Sequence, residues 1–295
     1  LITGSGPQNR DEELFGHKPF LLLADALTRV GVAVLRADDR GVGGSTGNTD
    51  RSTTADFADD ALAGVAFLRA RPEIDPARVG LIGHSEGGIV APLAAAKAPG
   101  EIAFLVLLAG TGVPLDQILL RQTELIMRAS GATEDDIAQQ LAQTRLVTEL
   151  ARSGADSTTM RTQLLDLAAA QLAALPDSAR AAAPDPAPAV EAAVLATTSP
   201  WFRFAVQFDP AAVLREVRCP VLAIGGTLDL QVDPEQNLPL IERALRNGGN
   251  EDVTIVRLPG LNHLLQTATT GVPQEYGAIE ETMSPAALET ITSWV

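Results

Sequence analysis

Apolar runs alternate with segments of helical periodicity in the first part of the chain. Residues 31–39 read GVAVLRADD, residues 78–84 read RVGLIGH and residues 103–110 read AFLVLLAG, and such short apolar runs predict buried strands. Apolar positions recur at helical spacing in residues 58–71 and 86–97, which predicts two helices. The order βαβαβ predicts a parallel sheet with right-handed crossovers and helices on both faces.

The pattern changes in the middle of the chain. Residues 112–199 contain no strand-like run, and helical spacing recurs in residues 117–130 and 133–151. We therefore predict a helical insertion that forms a cap. Near its end, prolines lie among alanines in residues 181–190, and this composition predicts extended or loosely ordered backbone.

The sheet pattern resumes after the insertion. Residues 219–226 (CPVLAIGG) and 252–259 (DVTIVRLP) predict two more strands, with a helix at residues 235–246 between them. Residues 285–295 predict a closing helix. This order favours the doubly wound α/β class, in which ligands bind at the carboxyl ends of the strands.

The order of predicted elements divides the chain into two structural parts. We predict an α/β core formed by residues 1–111 and 200–295, with residues 112–199 as the cap. The first two residues, Leu1 and Ile2, run directly into the turn TGSGP at residues 3–7, which is typical of the end of a strand. We therefore expect leading strands of the sheet to precede this chain.

Composition and charge exclude several classes of partner. The 295 residues are 46% hydrophobic and 20% charged, as in water-soluble globular proteins. Lys and Arg number 22 against 37 Asp and Glu, a net charge of −15, so the surface would repel nucleic acid and anionic lipid. No apolar run reaches membrane-spanning length, and we predict neither a nucleic-acid partner nor a membrane span.

Cysteine usage limits metal and disulfide chemistry. Cys219 is the only cysteine, which excludes an internal disulfide and a site built on several thiolates. We predict no metal and no cofactor. The sequence slightly favours a cytoplasmic location but leaves export open, and it is compatible with a homo-oligomer.

A candidate nucleophile lies between a predicted strand and a predicted helix. Residues 83–87 read GHSEG and match the G-x-S-x-G motif, whose sharp turn lifts the serine oxygen above the sheet. We predict Ser85 as nucleophile. The backbone N–H of Glu86, at the start of the helix, is then a predicted donor to an oxyanion. The alternative is a tight turn without chemistry.

The serine needs a base, and the chain has three histidines. His84 adjoins the nucleophile, and we expect its side chain to face away. His17 precedes the serine, whereas this kind of fold places its base last in the chain. His263 is therefore the predicted base, with a loop histidine of no catalytic role as the alternative.

Orienting the base requires a carboxylate on a loop between serine and histidine. Asp229 follows the strand CPVLAIGG closely and is the predicted acid. Asp233 lies just before Pro234 and the next helix, where the alternative roles of helix cap or catalytic acid both remain open.

A second oxyanion donor is expected from the glycine-rich loop that follows Ile2. Gly6 is the predicted donor through its backbone N–H, with Ser5 as the second choice. The alternative is an ordinary turn, because Gly and Pro occur in any loop.

Several segments together resemble the bacterial carboxylesterases of the α/β-hydrolase superfamily. They are GSGPQNRDE (4–12), HKPF (17–20), VLRADDRGVGGSTG (34–47), GHSEGG (83–88), SPWFRFAVQFDP (199–210), CPVLAIGGTLDLQV (219–232) and LNHLLQ (261–266). The resemblance covers nearly all of the predicted core. It implies the same roles for Ser85, Asp229 and His263, loop 4–7 as the oxyanion strand, and the insertion as the cap. It also implies a structural loop at residues 39–41, which we expect an Asp39–Arg40 pair to hold.

The function expected from these observations is hydrolysis of small, short-chain carboxylic esters through an acyl-enzyme. The partner is then a small-molecule ester. Apolar side chains of the cap are expected to roof the site, namely Leu119, Leu120, Ile126 and Met127. Two alternatives remain: a serine peptidase or amidase of the aminopeptidase kind, and a non-catalytic binding protein on the same fold.

Overall fold

A parallel four-stranded sheet forms the centre of the molecule. The computed structural model describes residues 1–295. Neighbouring strands follow the order β1-β2-β3-β4, and each pair is parallel. The strands are β1 (Leu81–His84), β2 (Leu105–Leu108), β3 (Val221–Gly226) and β4 (Val253–Leu258). Four of the five predicted strands are therefore confirmed, each slightly shorter than its apolar run.

Twelve α-helices surround and extend this sheet. They are α1 (Pro19–Arg29), α2 (Thr54–Arg69), α3 (Gly87–Lys97), α4 (Leu115–Ala129), α5 (Glu134–Arg152), α6 (Ser157–Ala174), α7 (Asp177–Ala182), α8 (Ala187–Thr197), α9 (Pro200–Gln207), α10 (Pro210–Leu214), α11 (Pro234–Asn247) and α12 (Pro285–Trp294). Seven of them, α4 to α10, lie between β2 and β3 without an intervening strand. None of the helices combines the length and the hydrophobicity needed to cross a bilayer.

Strand β2 is buried on both faces, which explains its uninterrupted apolar sequence. Leu105 and Leu107 pack with residues of α2, α3 and α11 on one side. Val106 and Leu108 pack with residues of α1 and α12 on the other. Because successive side chains of a strand point to opposite faces, four consecutive apolar residues supply both layers of the core.

A separate apolar cluster lies among the helices of the insertion. It joins α5, α6, α8 and α9 through the buried side chains Leu150, Ala151, Met160, Leu164, Val190, Val194, Phe202 and Val206. Helix α9 thus packs with the inserted helices, although the sequence pattern assigned residues from 200 onward to the core.

The predicted strand at residues 31–39 is wrong. Residues 32–39 are extended but form no ladder. The amino group of Leu1 donates to the Leu35 carbonyl at 2.9 Å, and Asp39 N donates to Gln8 O at 3.0 Å. These isolated hydrogen bonds do not form the repeated pairs of a ladder, and a groove of about 780 Å³ is lined by apolar residues of this segment and of β1.

The loosely ordered segment predicted at residues 181–190 is also wrong in part. Helix α7 runs to Ala182 and α8 begins at Ala187. Pro188 falls in the first turn of α8, where a missing N–H costs nothing, and Asp185 Oδ1 accepts the Ala187 N–H at 3.0 Å. Proline here starts a helix rather than preventing one.

Candidate active site

Ser85 lies on a sharp turn between β1 and α3. Its φ of +53° places a non-glycine residue in the left-handed region, a strain of about 1–3 kcal/mol that tends to persist at functional sites. A Cβ on Gly83 would lie 2.0 Å from Gly87 O, and one on Gly87 would lie 2.3 Å from Ile2 O. Only glycine fits at both positions, so the spacing in GHSEG is required by the close packing of this turn.

Two of the residues that line the Ser85 pocket have backbone N–H groups without an acceptor in the protein. The first belongs to Glu86, which precedes the first turn of α3 and so lies at the positive end of the helix. The second belongs to Ser5, in the loop after Ile2. Ser85 itself donates its N–H to Leu108 O at 2.8 Å, which anchors the turn to the neighbouring strand β2.

His263 is held by a buried carboxylate. Its Nδ1 lies 2.8 Å from Asp229 Oδ2, and the two side chains are almost fully buried. Asp229 Oδ1 also accepts the N–H groups of Gln231 at 2.9 Å and Val232 at 2.8 Å. Because an ionised carboxylate only accepts, Nδ1 carries the proton and Nε2 is left as an acceptor. Both His263 and Ser85 line the same pocket.

Asp233 lies elsewhere. Its Oδ1 accepts the Glu235 N–H at 3.0 Å at the start of α11, and its Oδ2 accepts from Arg121 Nε at 2.7 Å. Asp229, rather than Asp233, is therefore the carboxylate that contacts His263, and Asp233 caps a helix and pairs with α4.

The pocket that Ser85 and His263 share has a volume of about 370 Å³. On α4 it is lined by Leu115, Ile118, Leu119 and Gln122, whose spacing places them on one face of the helix. The prediction of roofing residues is correct for Leu119 and wrong for three others, which do not line the pocket: Leu120, Ile126 and Met127.

The side chain of Glu86 connects three parts of the molecule. Its Oε1 accepts from Thr54 Oγ1 of α2 at 2.7 Å and from Trp201 Nε1 of α9 at 2.7 Å. Burial raises the pKa of this carboxyl, and the hydrogen bonds from its neighbours oppose that rise. Only the backbone of Glu86 was predicted to act at the site, because the GHSEG motif carries no information about a side-chain partner 115 residues away.

The loop after Ile2 approaches Ser85 closely. Gly4 donates its N–H to Glu12 Oε1 at 2.7 Å and so has no donor to spare. Ser5 lines the pocket of Ser85, whereas Gly6 lines only the groove beside residues 32–39. The second-choice donor is thus the better placed of the two.

The other two histidines are both buried. His84 does not face away from the site: its ring centroid is 4.8 Å from that of His263, and its Nε2 lies 2.9 Å from the His263 carbonyl oxygen. The prediction that the His84 side chain faces away is wrong, because at the end of β1 the His84 ring packs against the loop that contains His263. His17 contacts Thr282 Oγ1 and Tyr276 O, each at 3.1 Å, and joins the loops before α1 and α12.

A comparison with known families decides what kind of protein this is. Residues 18–268 match the family Hydrolase_4, described as serine aminopeptidase, S33. The chain belongs to this family. Esterase EstD of Thermotoga maritima is 25% identical over 278 residues, which cover 94% of this chain and 56% of EstD. The chain therefore spans little more than half the length of this curated relative.

Solved structures show the same fold. An esterase from Pyrococcus furiosus has a TM-score of 0.53 at 17% identity, over 88% of this chain and 72% of that one. A thermophilic esterase from Thermogutta terrifontis has a TM-score of 0.52 at 18% identity, over 99% and 87%. The fold is that of an α/β hydrolase.

In this Hydrolase_4 member the loop at residues 38–41 (DDRG) is held by other contacts than the predicted pair between Asp39 and Arg40. Asp39 accepts from Thr3 Oγ1 at 2.9 Å and from Gln8 N at 2.8 Å, and burial raises its pKa to about 6. Arg40 pairs instead with Asp60 of α2. The predicted Asp39–Arg40 pair is wrong, because the two side chains point to different elements.

The chain has no cluster of three or more His, Cys, Asp or Glu side chains arranged to hold a metal ion. Its single cysteine, Cys219, is half-buried beside the start of β3. Burial raises the pKa of the Cys219 thiol to about 11, so the thiol is protonated at neutral pH.

Proposed function

We propose that this chain hydrolyses small carboxylic esters as a serine hydrolase, with Ser85 as nucleophile, His263 as base and Asp229 as acid. The observation that supports this most directly is the 2.8 Å contact between Asp229 and His263 beside the pocket of a strained serine. Ser85 and His263 line one pocket, Asp229 contacts His263 outside its lining, and the three follow one another along the chain in the order that this fold uses.

The proposed reaction has two steps. His263 Nε2 takes the Ser85 hydroxyl proton as Oγ attacks the ester carbonyl, and Asp229 stabilises the resulting imidazolium. The imidazolium then protonates the leaving alcohol, and an acyl-enzyme remains. His263 then takes a proton from water as the water oxygen attacks the acyl carbonyl, and the imidazolium returns that proton to Ser85 Oγ as the acyl C–O bond breaks and the acid leaves.

The oxyanion of each tetrahedral intermediate would accept two backbone N–H groups. We propose those of Glu86 and Ser5, because neither has another acceptor and both residues line the pocket. The predicted donor Gly6 is replaced by Ser5 in this proposal, since Gly6 does not line the Ser85 pocket.

The size of the pocket favours a small substrate. A volume of about 370 Å³ must hold both the acyl and the alcohol groups, and its walls are mainly apolar. We propose that the inserted helices form a cap over this pocket. Because α9 packs with α5 and α8 and supplies Trp201 to the pocket, the proposed cap extends to about residue 208 instead of 199.

An aminopeptidase is the main alternative, and the family's description names one. Such an enzyme needs a free carboxylate for the substrate's ammonium group. The carboxylates that line the pocket are those of Glu12 and Glu86. Glu12 already pairs with His84, and Glu86 accepts from Thr54 and Trp201. We therefore favour the ester.

A fluorophosphonate probe tests the nucleophile and also the non-catalytic alternative. We expect the probe to attach to Ser85, as located by peptide mass spectrometry. Ser85→Ala should lose labelling and lower hydrolysis of a nitrophenyl butyrate roughly ten-thousand-fold or more. Ser178→Ala, at an exposed serine of α7, is the matched control and should behave as the unmodified chain. Unchanged turnover in Ser85→Ala would refute the proposal.

A substrate panel tests the class of ester. Among nitrophenyl esters from two to twelve acyl carbons, we expect the highest kcat/KM at the short end, because the pocket is small. Aminoacyl anilides should be cleaved far more slowly than the short esters. A preference for the anilides would favour the aminopeptidase.

A further inference from the structure

A buried carboxylate lies beneath the loop that approaches Ser85. Glu12 is only 1% exposed, and its φ of +51° is in the left-handed region that non-glycine residues rarely adopt. Such a conformation persists only where the surrounding contacts fix it. The contacts of the Glu12 side chain therefore indicate which groups it holds in place.

Glu12 and His84 link two loops on either side of Ser85. Glu12 Oε1 accepts the Gly4 N–H at 2.7 Å and the His84 Nδ1–H at 2.9 Å. The other ring nitrogen, Nε2, donates to the His263 carbonyl oxygen at 2.9 Å. A continuous set of hydrogen bonds thus connects the loop after Ile2 with the backbone of His263.

The loop is tightly fitted at this point. A Cβ on Gly4 would lie 3.3 Å from Glu12 Oε1 and 3.3 Å from the Ser85 Cβ. A displacement of Glu12 would therefore move Gly4, and with it the adjoining N–H of Ser5, relative to Ser85.

The geometry also fixes the protonation of His84. A carbonyl oxygen cannot donate, so Nε2 carries a proton, and a carboxylate that already accepts from Gly4 requires a proton on Nδ1. Burial disfavours the charged ring, but the attraction and hydrogen bond of Glu12 outweigh it and raise the pKa of His84 to about 9. The pair is a buried imidazolium and carboxylate.

The other titratable groups around Glu12 and His84 lie in four parts of the chain. His263 and Asp229 follow β4 and β3, and the negative charge of Asp229 also favours the charged form of His84. Asp39, in the extended segment, and Glu86, after β1, are the remaining carboxyls, and Asp39 is close enough to Glu12 for the two to repel each other.

We propose that Glu12 and His84 are positioning residues of the hydrolase. They fix the position of the Ser5 N–H relative to the His263 backbone, on either side of Ser85. This inference rests on the proposed function. Neither residue transfers a proton to substrate in this scheme, and both act through the groups that do.

Glu12→Gln is the direct test, because it keeps the shape of the side chain and removes its charge. With a neutral amide, His84 loses the partner that keeps it charged. Since displacing reacting groups slightly is costly, we expect kcat to fall roughly 10- to 100-fold with KM changed less than about threefold. Glu13→Gln, the same change at an exposed neighbour, is the matched control and should leave both constants unchanged.

The pH profile separates positioning from a merely structural role. His84 is doubly protonated below its raised pKa, so the pair is intact at lower pH and is lost as the pH rises through about 9. We expect kcat of the unmodified chain, followed by pH-stat titration of ethyl butyrate, to fall above about pH 9. Glu12→Gln should lack that decline. If the variant keeps both full kcat and the decline, the proposal is wrong.

A second measurement applies if Glu12→Gln does not fold. The imidazole ¹⁵N shifts of His84 in the unmodified chain should report two protonated nitrogens at pH 7.5, with one proton lost in step with kcat. A singly protonated ring at pH 7.5 would overturn the pair. Fluorophosphonate labelling of Ser85 reports on the proposed function separately, so labelling with a neutral His84 would refute only the positioning role.

Discussion

Asp229 is the residue that keeps the His263 ring in one tautomer. In Asp229→Asn the amide can donate to Nδ1, which would place the ring proton on Nε2, where it cannot accept from the serine. We expect kcat on nitrophenyl butyrate to fall about ten-thousand-fold, on the precedent of the same change in a serine protease triad. KM should change little, because the carboxylate does not line the pocket.

Asp233→Asn is the matched control for that change. Asn caps a helix as well as Asp, so this change keeps the cap of α11 and weakens only the pair with Arg121, and we expect the midpoint of thermal unfolding to fall by at most a few degrees, at a cost of about 0–1 kcal/mol. Turnover should stay within about threefold of the unmodified chain. A large loss of turnover here, with Asp229→Asn active, would reverse the assignment of the acid.

Substituting Gly83 tests how tightly the turn next to Ser85 is packed. Gly83→Ala would place a methyl group 2.0 Å from the Gly87 carbonyl, which no rotamer can relieve. We expect a loss of more than about 3 kcal/mol in the free energy of unfolding, measured by urea denaturation. Gly64→Ala, within α2, meets only Leu35 at 3.4 Å and should be neutral or stabilising by up to about 1 kcal/mol.

Residue spacing was enough to name Ser85, Asp229 and His263 as candidates, because each follows a recognisable strand at a fixed short distance. It was not enough to find the contact between Glu12 and His84. That contact joins residues 72 positions apart, and it depends on a left-handed φ at Glu12 that no local pattern signals.

At the scale of elements, helix α9 is tied to the active site by one hydrogen bond. Trp201→Phe keeps an aromatic ring in the pocket but removes the donor to Glu86 Oε1. We expect a loss of about 1–2 kcal/mol in unfolding free energy and a rise of a few-fold in KM, because α9 is held less firmly against the turn after β1. Gln207→Ala, at an exposed position of the same helix outside the pocket lining, should leave KM unchanged.

Strands and helices were predictable where one segment contains the whole signal. Strands β1 to β3 are buried along their whole length because both faces of the sheet are covered there, whereas β4, at the end of the strand order, is mostly half-buried and includes the exposed Arg257. A ladder, however, belongs to two segments, and residues 32–39 have the right composition without a neighbour to pair with. Helix α8 was missed for the opposite reason: its prolines mark a helix start, which composition alone did not distinguish from a linker.

At the scale of the whole molecule, the net charge of −15 affects which esters arrive fastest. An anionic substrate, such as a nitrophenyl hemisuccinate, is repelled over a distance that salt shortens. We expect its kcat/KM to rise several-fold between 10 and 300 mM NaCl, with kcat unchanged. A neutral nitrophenyl ester should show no such dependence, and equal salt effects on both would exclude electrostatic repulsion as the cause.

Cys219 leaves the molecule well suited to site-selective labelling. Maleimides and iodoacetamides react with thiolates, and the native thiol stays protonated and half-buried at neutral pH. A cysteine introduced at an exposed position of α7, as in Ser178→Cys, would therefore take up a fluorophore first. Movement of the inserted helices relative to the sheet could then be followed by fluorescence in a chain that retains its native cysteine.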